Sequence, residues 1–520
     1  MKLFAFKDVV GFVLIGAIAV LAFSLGSYNL RGQSIWLDEA VTVQVSSQET
    51  YGDVVKSVME TRPYPPLYFL IVHDFLKVWD NEFGLRLPSV IFGVLTLIMV
   101  FLLGRTLFGN SVGIVASILF LLAPTFLFHL RDGNCYTMLA CLTTVSTLSL
   151  WKAWETRRAT YWVGYGIFSL LALSTHLFAV PFILGQWLAY LFLSEAWKVF
   201  RGPGIGARIQ EYIKRERVFV TVAGVVILAM LIIIPQIQSE QTIDKFRSGV
   251  AVEGSALERL FSANTVKWIY KNYAAYFPFP VFWILQILGV IYGFMTDAKK
   301  TAFLLIVLLA PFLAQMVFLM TVFSSAAIRY SITLAPMLYL LTACGLRSGE
   351  LLIGRIRWGK VFAAGVLAAM LFSMWQPLSL YIRFVKPQLH RAGIYDWRGV
   401  SEILKKHADP EKDIVFVCAD YVMIALDYYY DGPVKRVGIK QMVDDPAYLN
   451  EVVDRNLFGK QRVWLILSHE EVDEPIVRYL EGFSRTFSIP AGPLTITTQR
   501  TGEQRLSGIS ITMYTLQAES

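Results

Sequence analysis

The sequence predicts a polytopic α-helical membrane protein with a small soluble α/β domain at its C-terminal end. Three observations predict it. The 520 residues are 55% hydrophobic and only 17% charged, with a mean hydropathy of +0.53, too apolar for a soluble chain of this length. Apolar runs of about 20 residues, enough to cross a hydrocarbon core of about 30 Å, recur about eleven times. Near Lys386 these runs stop, and short segments with strand or amphipathic-helix patterning take over.

The first run, Val9 to Leu25, follows Lys2 and Lys7 and so has the flanks of a signal peptide. No small-x-small cleavage pattern follows it and further spans come after, so it reads as a retained helix. Later runs centre near 84–104, 112–129, 136–153, 160–175, 177–194, 217–235, 281–296, 301–322, 330–346 and 361–382. Alternate connections are short and basic: Arg105; Lys152 with Arg157 and Arg158; Lys198 to Arg217; Lys299 and Lys300; Arg347 to Lys360. The positive-inside rule then places the N-terminus in the cytoplasm, and an odd number of spans puts the C-terminal domain outside.

That distribution also accounts for the net charge of +8 without invoking nucleic acid. Cys135, Cys141, Cys344 and Cys418 lie scattered, without metal-ligand spacing, so neither a disulfide framework nor a structural zinc is expected. The expected division is a membrane domain over 1–385, with an outer loop at 29–82, and an extracytoplasmic domain over 386–520. In the latter, Val400–His407 and Glu474–Phe483 read as helices, and Asp413–Cys418, Arg462–Ser468 and Gly508–Leu516 as strands. Gly202, Gly204 and Gly206 imitate a phosphate loop, but their spacing is wrong and no strand precedes them, so a turn is expected.

Under this topology the unusual polar residues fall on the outer face. Asp38 and Glu39 lie in the first outer loop, with the rigid turn Tyr64-Pro65-Pro66-Leu67-Tyr68; Arg86 opens the second span. His129, Arg131 and Asp132 close the third, Tyr136 follows, His176 turns between the fifth and sixth, and Arg329 with Tyr330 starts the tenth. Each has a bland explanation: Asp38 as a helix cap, the arginines as snorkelling anchors, His176 as a satisfied helix-end residue, the prolines as a stiff loop. Convergence on one side favours a site.

Span interiors are nearly free of charge, which weakens the alternative of a lipid or sugar translocator, whose sites belong at the midplane. Carboxylates with arginines at a water-lipid boundary suit transfer of a sugar from a polyprenyl phosphate. A carboxylate takes the acceptor proton, and fixed positive charge stabilises the departing phosphate.

The motifs Trp36-Leu37-Asp38-Glu39, Pro65-Pro66-Leu67-Tyr68, Arg86-Leu87-Pro88-Ser89, Thr175-His176-Leu177-Phe178 and Arg329-Tyr330 with Pro336 occur in this order. They resemble the glycosyltransferase family 39-like branch of the GT-C superfamily, which includes dolichyl-phosphate-mannose protein mannosyltransferases and aminoarabinose transferases. In the pattern S-Q-E-x-R-x-Y, this chain matches at Asp132 and Tyr136 but has Arg131 for glutamine and Asn134 for arginine. The resemblance covers nearly the whole chain and implies a GT-C fold and an inverting transferase acting outside the membrane. It implies Asp38 as base or acceptor-orienting group, Glu39 as its support and Asp132 as a second carboxylate. Arg86 and Arg131, with His176, Arg329 and Tyr330, would contact donor phosphate or sugar, and Tyr64, Pro65, Tyr68 and Tyr136 would line the pocket. Partners would be a polyprenyl-phosphate sugar, a lipid, glycan or protein acceptor, and membrane lipids. No cofactor is assigned, and a divalent metal is compatible with the carboxylates and His129 or His176. The large lumenal insertion of the eukaryotic enzymes is missing, which implies a prokaryotic plasma membrane.

Overall fold

The computed structural model describes residues 6–61, 64–201, 204–237, 279–322, 332–353, 365, 368, 395–440, 445–468, 475–481, 484–489, 492–506 and 509–519. They form two compact units, one of residues 1–30 and 45–383, the other of 31–44 and 384–520.

The first unit is helical. Its elements are α1 (Phe6–Ser27), α2 (Leu37–Ser46, whose first turns lie in the second unit), α3 (Tyr51–Thr61), α4 (Leu67–Val78), α5 (Glu82–Phe108), α6 (Asn110–Leu121) and α7 (Pro124–His129). Then come α8 (Tyr136–Thr156), α9 (Ala159–Leu173), α10 (Ala179–Leu193), α11 (Ile205–Arg215), α12 (Arg217–Ile237), α13 (Phe279–Thr296), α14 (Ala298–Val322) and α15 (Ala335–Ile353). Four of these, α1, α5, α12 and α14, contain stretches long and apolar enough to cross a membrane, and shorter apolar helices accompany them.

One expectation needs correction. The run at 112–129 is not one helix: Pro124 lacks an amide donor, Ala123 before it is extended (φ −65°, ψ 131°), and the chain restarts as α7. The outer loop carries α2, α3 and α4. The span expected at 361–382 lies almost wholly outside the described residues.

The core of this unit is aromatic and aliphatic, with Trp151, Tyr165, Tyr190, Phe120 and Tyr339 fully buried. Helices α13 and α15 approach each other on glycine from both sides. A Cβ on Gly289 of α13 would stand 2.1 Å from the Leu341 carbonyl oxygen, and one on Gly345 of α15 would stand 2.1 Å from that of Leu285. Only glycine permits such close contact.

The second unit carries a six-stranded sheet. Its elements are α16 (Trp397–His407), β1 (Asp413–Cys418), α17 (Met423–Asp427), β2 (Arg436–Ile439), α18 (Pro446–Leu457), β3 (Arg462–Ser468), α19 (Pro475–Glu481), β4 (Ser484–Ile489), β5 (Gly492–Leu506) and β6 (Ile509–Glu519). The strand order is β2-β1-β3-β6-β5-β4. The first three strands are parallel, and β6, β5 and β4 join antiparallel. Every residue of β1 is buried, as a parallel strand covered on both faces requires.

Candidate active site

The α5, α8 and α9–α10 ends that meet near Tyr136 form a polar cluster within the first unit. His176, in the turn between α9 and α10, is buried (2% exposed). Its ring packs 4.9 Å from Tyr64 and 6.1 Å from Tyr136, centroid to centroid. The Phe178 amide donates to His176 Nδ1 at 3.1 Å. A neutral ring that accepts at Nδ1 carries its proton at Nε2, which makes that atom a hydrogen-bond donor.

The turn holding Pro65 and Pro66 is docked here by Leu67, whose amide donates to the Ser174 carbonyl at 3.1 Å. One turn later, Tyr68 Oη and Ser89 Oγ are 2.9 Å apart, and Ser89 Oγ donates to the Asn134 carbonyl at 3.0 Å. Tyr68, Ser89 and Asn134 are all buried. Asn134 Oδ1 accepts from the Cys135 amide at 3.0 Å, and its Nδ2 has no hydrogen-bond partner among the described residues. His129 stacks 4.7 Å from Tyr136 and places Nδ1 3.4 Å from Asp132 Oδ2, both side chains being nearly inaccessible.

The arginines lie close by with a different task. Arg86, 4% exposed, donates from Nη1 to the Leu30 carbonyl at 2.6 Å. Arg131 donates to the Tyr28 carbonyl and, at 2.8 Å, to that of Asn29. Asn29 is left-handed (φ 50°) just past the end of α1, where cations satisfy the last carbonyls of a helix. Both guanidiniums therefore fix the chain as it leaves α1.

Asp38 and Glu39 occupy the first turn of α2, a position that the helix dipole favours for carboxylates. Glu39 is buried (1% exposed), while Asp38 is half-buried. The stretch leading to them belongs to the second unit. Tyr429 Oη accepts a hydrogen bond from the Ile35 amide at 2.8 Å. Ser34 Oγ donates to Asp396 Oδ1 at 3.3 Å and accepts from the Arg398 amide at 3.1 Å. Arg398 Nη2 reaches the Arg31 carbonyl at 2.9 Å. Asp396 is also the cap of α16, accepting from the Gly399 amide at 3.0 Å. The Tyr395–Arg398 segment thus pins residues 31–35 rather than merely opening a domain.

Sequence reasoning brings Tyr64, Pro65, Tyr68, Asp132, Tyr136 and His176 to one region, and the geometry joins them. It missed Ser89 and His73. Ser89 closes the quoted motif Arg86-Leu87-Pro88-Ser89. His73, buried, bonds the Ser46 carbonyl through Nδ1 at 2.8 Å, and nothing in its local sequence marks it. Arg329 and Tyr330 lie outside the described residues. Among the described residues no three His, Cys, Asp or Glu side chains converge as a metal site.

Comparison with known proteins bears on this region directly. Residues 63–207 match the family model of dolichyl-phosphate-mannose-protein mannosyltransferase. That segment contains Tyr64, Tyr68, Arg86, Ser89, Asp132, Asn134, Tyr136 and His176. The fold is similar to that of ArnT from Cupriavidus metallidurans bound to undecaprenyl phosphate, with a TM-score of 0.53, 15% identity and 98% of each chain covered. The chain thus shares the fold of this structure over nearly its whole length and, over residues 63–207, is similar to the mannosyltransferase family model. It is also similar to the Archaeoglobus fulgidus oligosaccharyltransferase tethered to an acceptor peptide, with a TM-score of 0.55, 11% identity, and 94% of this chain and 74% of that one covered. The archaeal oligosaccharyltransferase AglB from Archaeoglobus fulgidus, in complex with an inhibitory peptide and a dolichol-phosphate, matches with a TM-score of 0.50 and 12% identity over 94% of this chain and 74% of that one. No curated protein matches by sequence.

Proposed function

We propose that this GT-C protein is an inverting glycosyltransferase that moves a sugar from a polyprenyl-phosphate donor to an acceptor hydroxyl on the extracytoplasmic side of a prokaryotic plasma membrane. The carrying observation is the end-to-end fold similarity to a transferase bound to undecaprenyl phosphate, reinforced by a family-model match that spans the His176 cluster. The full reading has about eleven spans, a cytoplasmic N-terminus and an extracytoplasmic C-terminal domain, as positive-inside arithmetic requires.

In this mechanism the acceptor oxygen attacks the anomeric carbon on the face opposite the phosphate. The bond from that carbon to the phosphate oxygen breaks, and the lipid phosphate departs with the electron pair. Asp38 takes the acceptor proton, and buried Glu39 supports it. A phosphate monoester leaves without a general acid, so no second proton donor is needed. His176 Nε2 offers a donor to a sugar or phosphate oxygen, with Tyr64 and Tyr136 as aromatic walls. Arg86 contributes positive charge while holding the Leu30 carbonyl, and Arg131 acts mainly through the α1 exit. Asp132 keeps His129 in place. Arg329 and Tyr330 are assigned to the donor by motif alone.

No observation favours the translocator. The test is release of polyprenyl phosphate from a panel of polyprenyl-phosphate hexoses and pentoses by the purified protein in lipid, with envelope extract as acceptor source. Acceptor-dependent release from one donor supports the reading. Movement of donor across the bilayer without release would replace it.

A further inference from the structure

The described surface also holds an element that catalysis does not use. Between α10 and α12 the chain forms a short 3-10 helix over Ala196–Phe200, then α11, which has no buried residue. In α11 the apolar positions are Ile205, Ile209, Tyr212 and Ile213, a single stripe at helical spacing. Ile205, Ile209 and Ile213 are 46%, 39% and 45% exposed, and Trp197 and Phe200 before them are 42% and 71% exposed. A soluble surface rarely leaves such a stripe uncovered.

The element is nonetheless firmly attached. Glu216, between α11 and α12, is buried and accepts from Arg157 Nη1 at 2.7 Å, from Arg215 Nε at 3.0 Å, and from Tyr190 Oη. Arg215 Nη2 also donates to the Ser194 carbonyl at 2.8 Å, Ser194 Oγ lies 2.6 Å from Tyr212 Oη, and Arg208 Nε donates to the Val199 carbonyl at 3.0 Å. These bonds fix α11 to the ends of α8 and α10 and to the first turn of α12. From Arg217 onward α12 is a candidate span with only 17% of its apolar window covered by protein. The isoleucine stripe therefore sits where that lipid-facing surface begins.

Charge selects the occupant. Lys198, Arg201, Arg208, Lys214, Arg215 and Arg217 outnumber Glu195, Glu211 and Glu216 over this stretch. Arg201 and Lys198 both lie over the Trp197 ring, at 4.0 and 5.6 Å. Such an arrangement holds an indole at headgroup depth with cations beside it. We propose that residues 196–201 and 204–215 lie in the bilayer interface as an amphipathic binding surface for anionic lipid headgroups, with Ile205, Ile209 and Ile213 in the acyl boundary.

The inference is independent of the transfer reaction and is tested on the full chain in nanodiscs. The four native cysteines are buried thiols, so Ile209→Cys and Gln210→Cys can each carry a nitroxide. The label at 209 should be accessible to oxygen and shielded from a water-soluble nickel complex, and the label at 210 the reverse. Equal nickel access at both positions overturns the proposal, as does shielding of 209 from both reagents, which would mean a protein partner. In mixed phosphatidylcholine and phosphatidylglycerol, the native chain should enrich phosphatidylglycerol around itself. Arg201→Glu with Lys214→Glu should reduce that enrichment at least about fivefold, as expected for loss of a cation near the surface. Unchanged enrichment would refute the anionic preference.

Discussion

The 21-residue helix Tyr136–Thr156 runs about 31 Å between two polar clusters of opposite construction. At the Arg157 end a buried carboxylate accepts hydrogen bonds from two guanidiniums and a phenol. At the Tyr136 end the Asp132 carboxylate faces His129, and the other polar atoms named belong to rings, hydroxyls and an amide: His176, Tyr64, Tyr68, Ser89 and Asn134. A carboxylate saturated by three donors holds helices together. A collection of aromatic faces and neutral donors is the kind of surface on which a sugar can rest.

The two ends should therefore respond differently to mutation. The largest stability loss is expected for Glu216→Ala. Arg157 and Arg215 remain more than half exposed, so the cost should be about 3 kcal/mol, the low end for breaking a buried pair. Thermal unfolding in lipid should show it, with turnover per folded molecule unchanged. A loss of turnover without loss of stability would erase the contrast between the ends.

His176→Ala should do the opposite, lowering turnover by about a hundredfold, within the range for a lost transition-state donor, while the unfolding midpoint moves little. His176→Gln, which keeps a donor, should recover part of the rate. If both variants simply unfold, the His176 cluster is structural too.

Acid sharpens the comparison. Burial pushes the Glu216 carboxyl up, but hydrogen bonds from Tyr190 and Arg157 outweigh it and hold the group below its usual value. A depressed carboxylate contributes stability above its unfolded pKa of about 4.3 and loses it as pH falls through the folded value. The unfolding midpoint of the native chain should thus decline below pH of about 4 more steeply than that of Glu216→Gln. Equal slopes would remove Glu216 from the account.

The smallest effect is expected in the second unit. Tyr429→Phe removes the acceptor for the Ile35 amide, worth about 0.5–1.5 kcal/mol. If the C-terminal unit positions the Asp38 segment, turnover should fall severalfold while donor affinity holds. Unchanged turnover would confine Tyr429 to local packing.

Much of the fold was legible because hydropathy reports burial in lipid directly. Helices were found where composition was uniform, four of them holding stretches long and apolar enough to cross a membrane, and the reading failed where one proline, Pro124, outweighed the hydropathy of its neighbours. The outer helices escaped because each is short. In α3 only Val54 and Val58 are buried, too few for a convincing stripe. Strand β5 is polar along Thr497–Gln504 and is held by its pairing to β4 and β6, which no local pattern encodes. The docking of Ser34 on Asp396 joins residues 362 positions apart. His176 and Tyr136 were expected at span ends and Tyr64 in the outer loop, all on one side. Their mutual contacts required coordinates.

The central claim is that Asp38 is the base of a lipid-phosphate-sugar transfer. Its most direct test compares native protein with Asp38→Asn in nanodiscs, measuring donor affinity and single-turnover release of polyprenyl phosphate on the same preparations. The account predicts equal affinity with release slowed by about 10²–10⁴-fold, the range for loss of a general base. Equal release rates would contradict it and return Asp38 to the role of a helix N-terminal carboxylate.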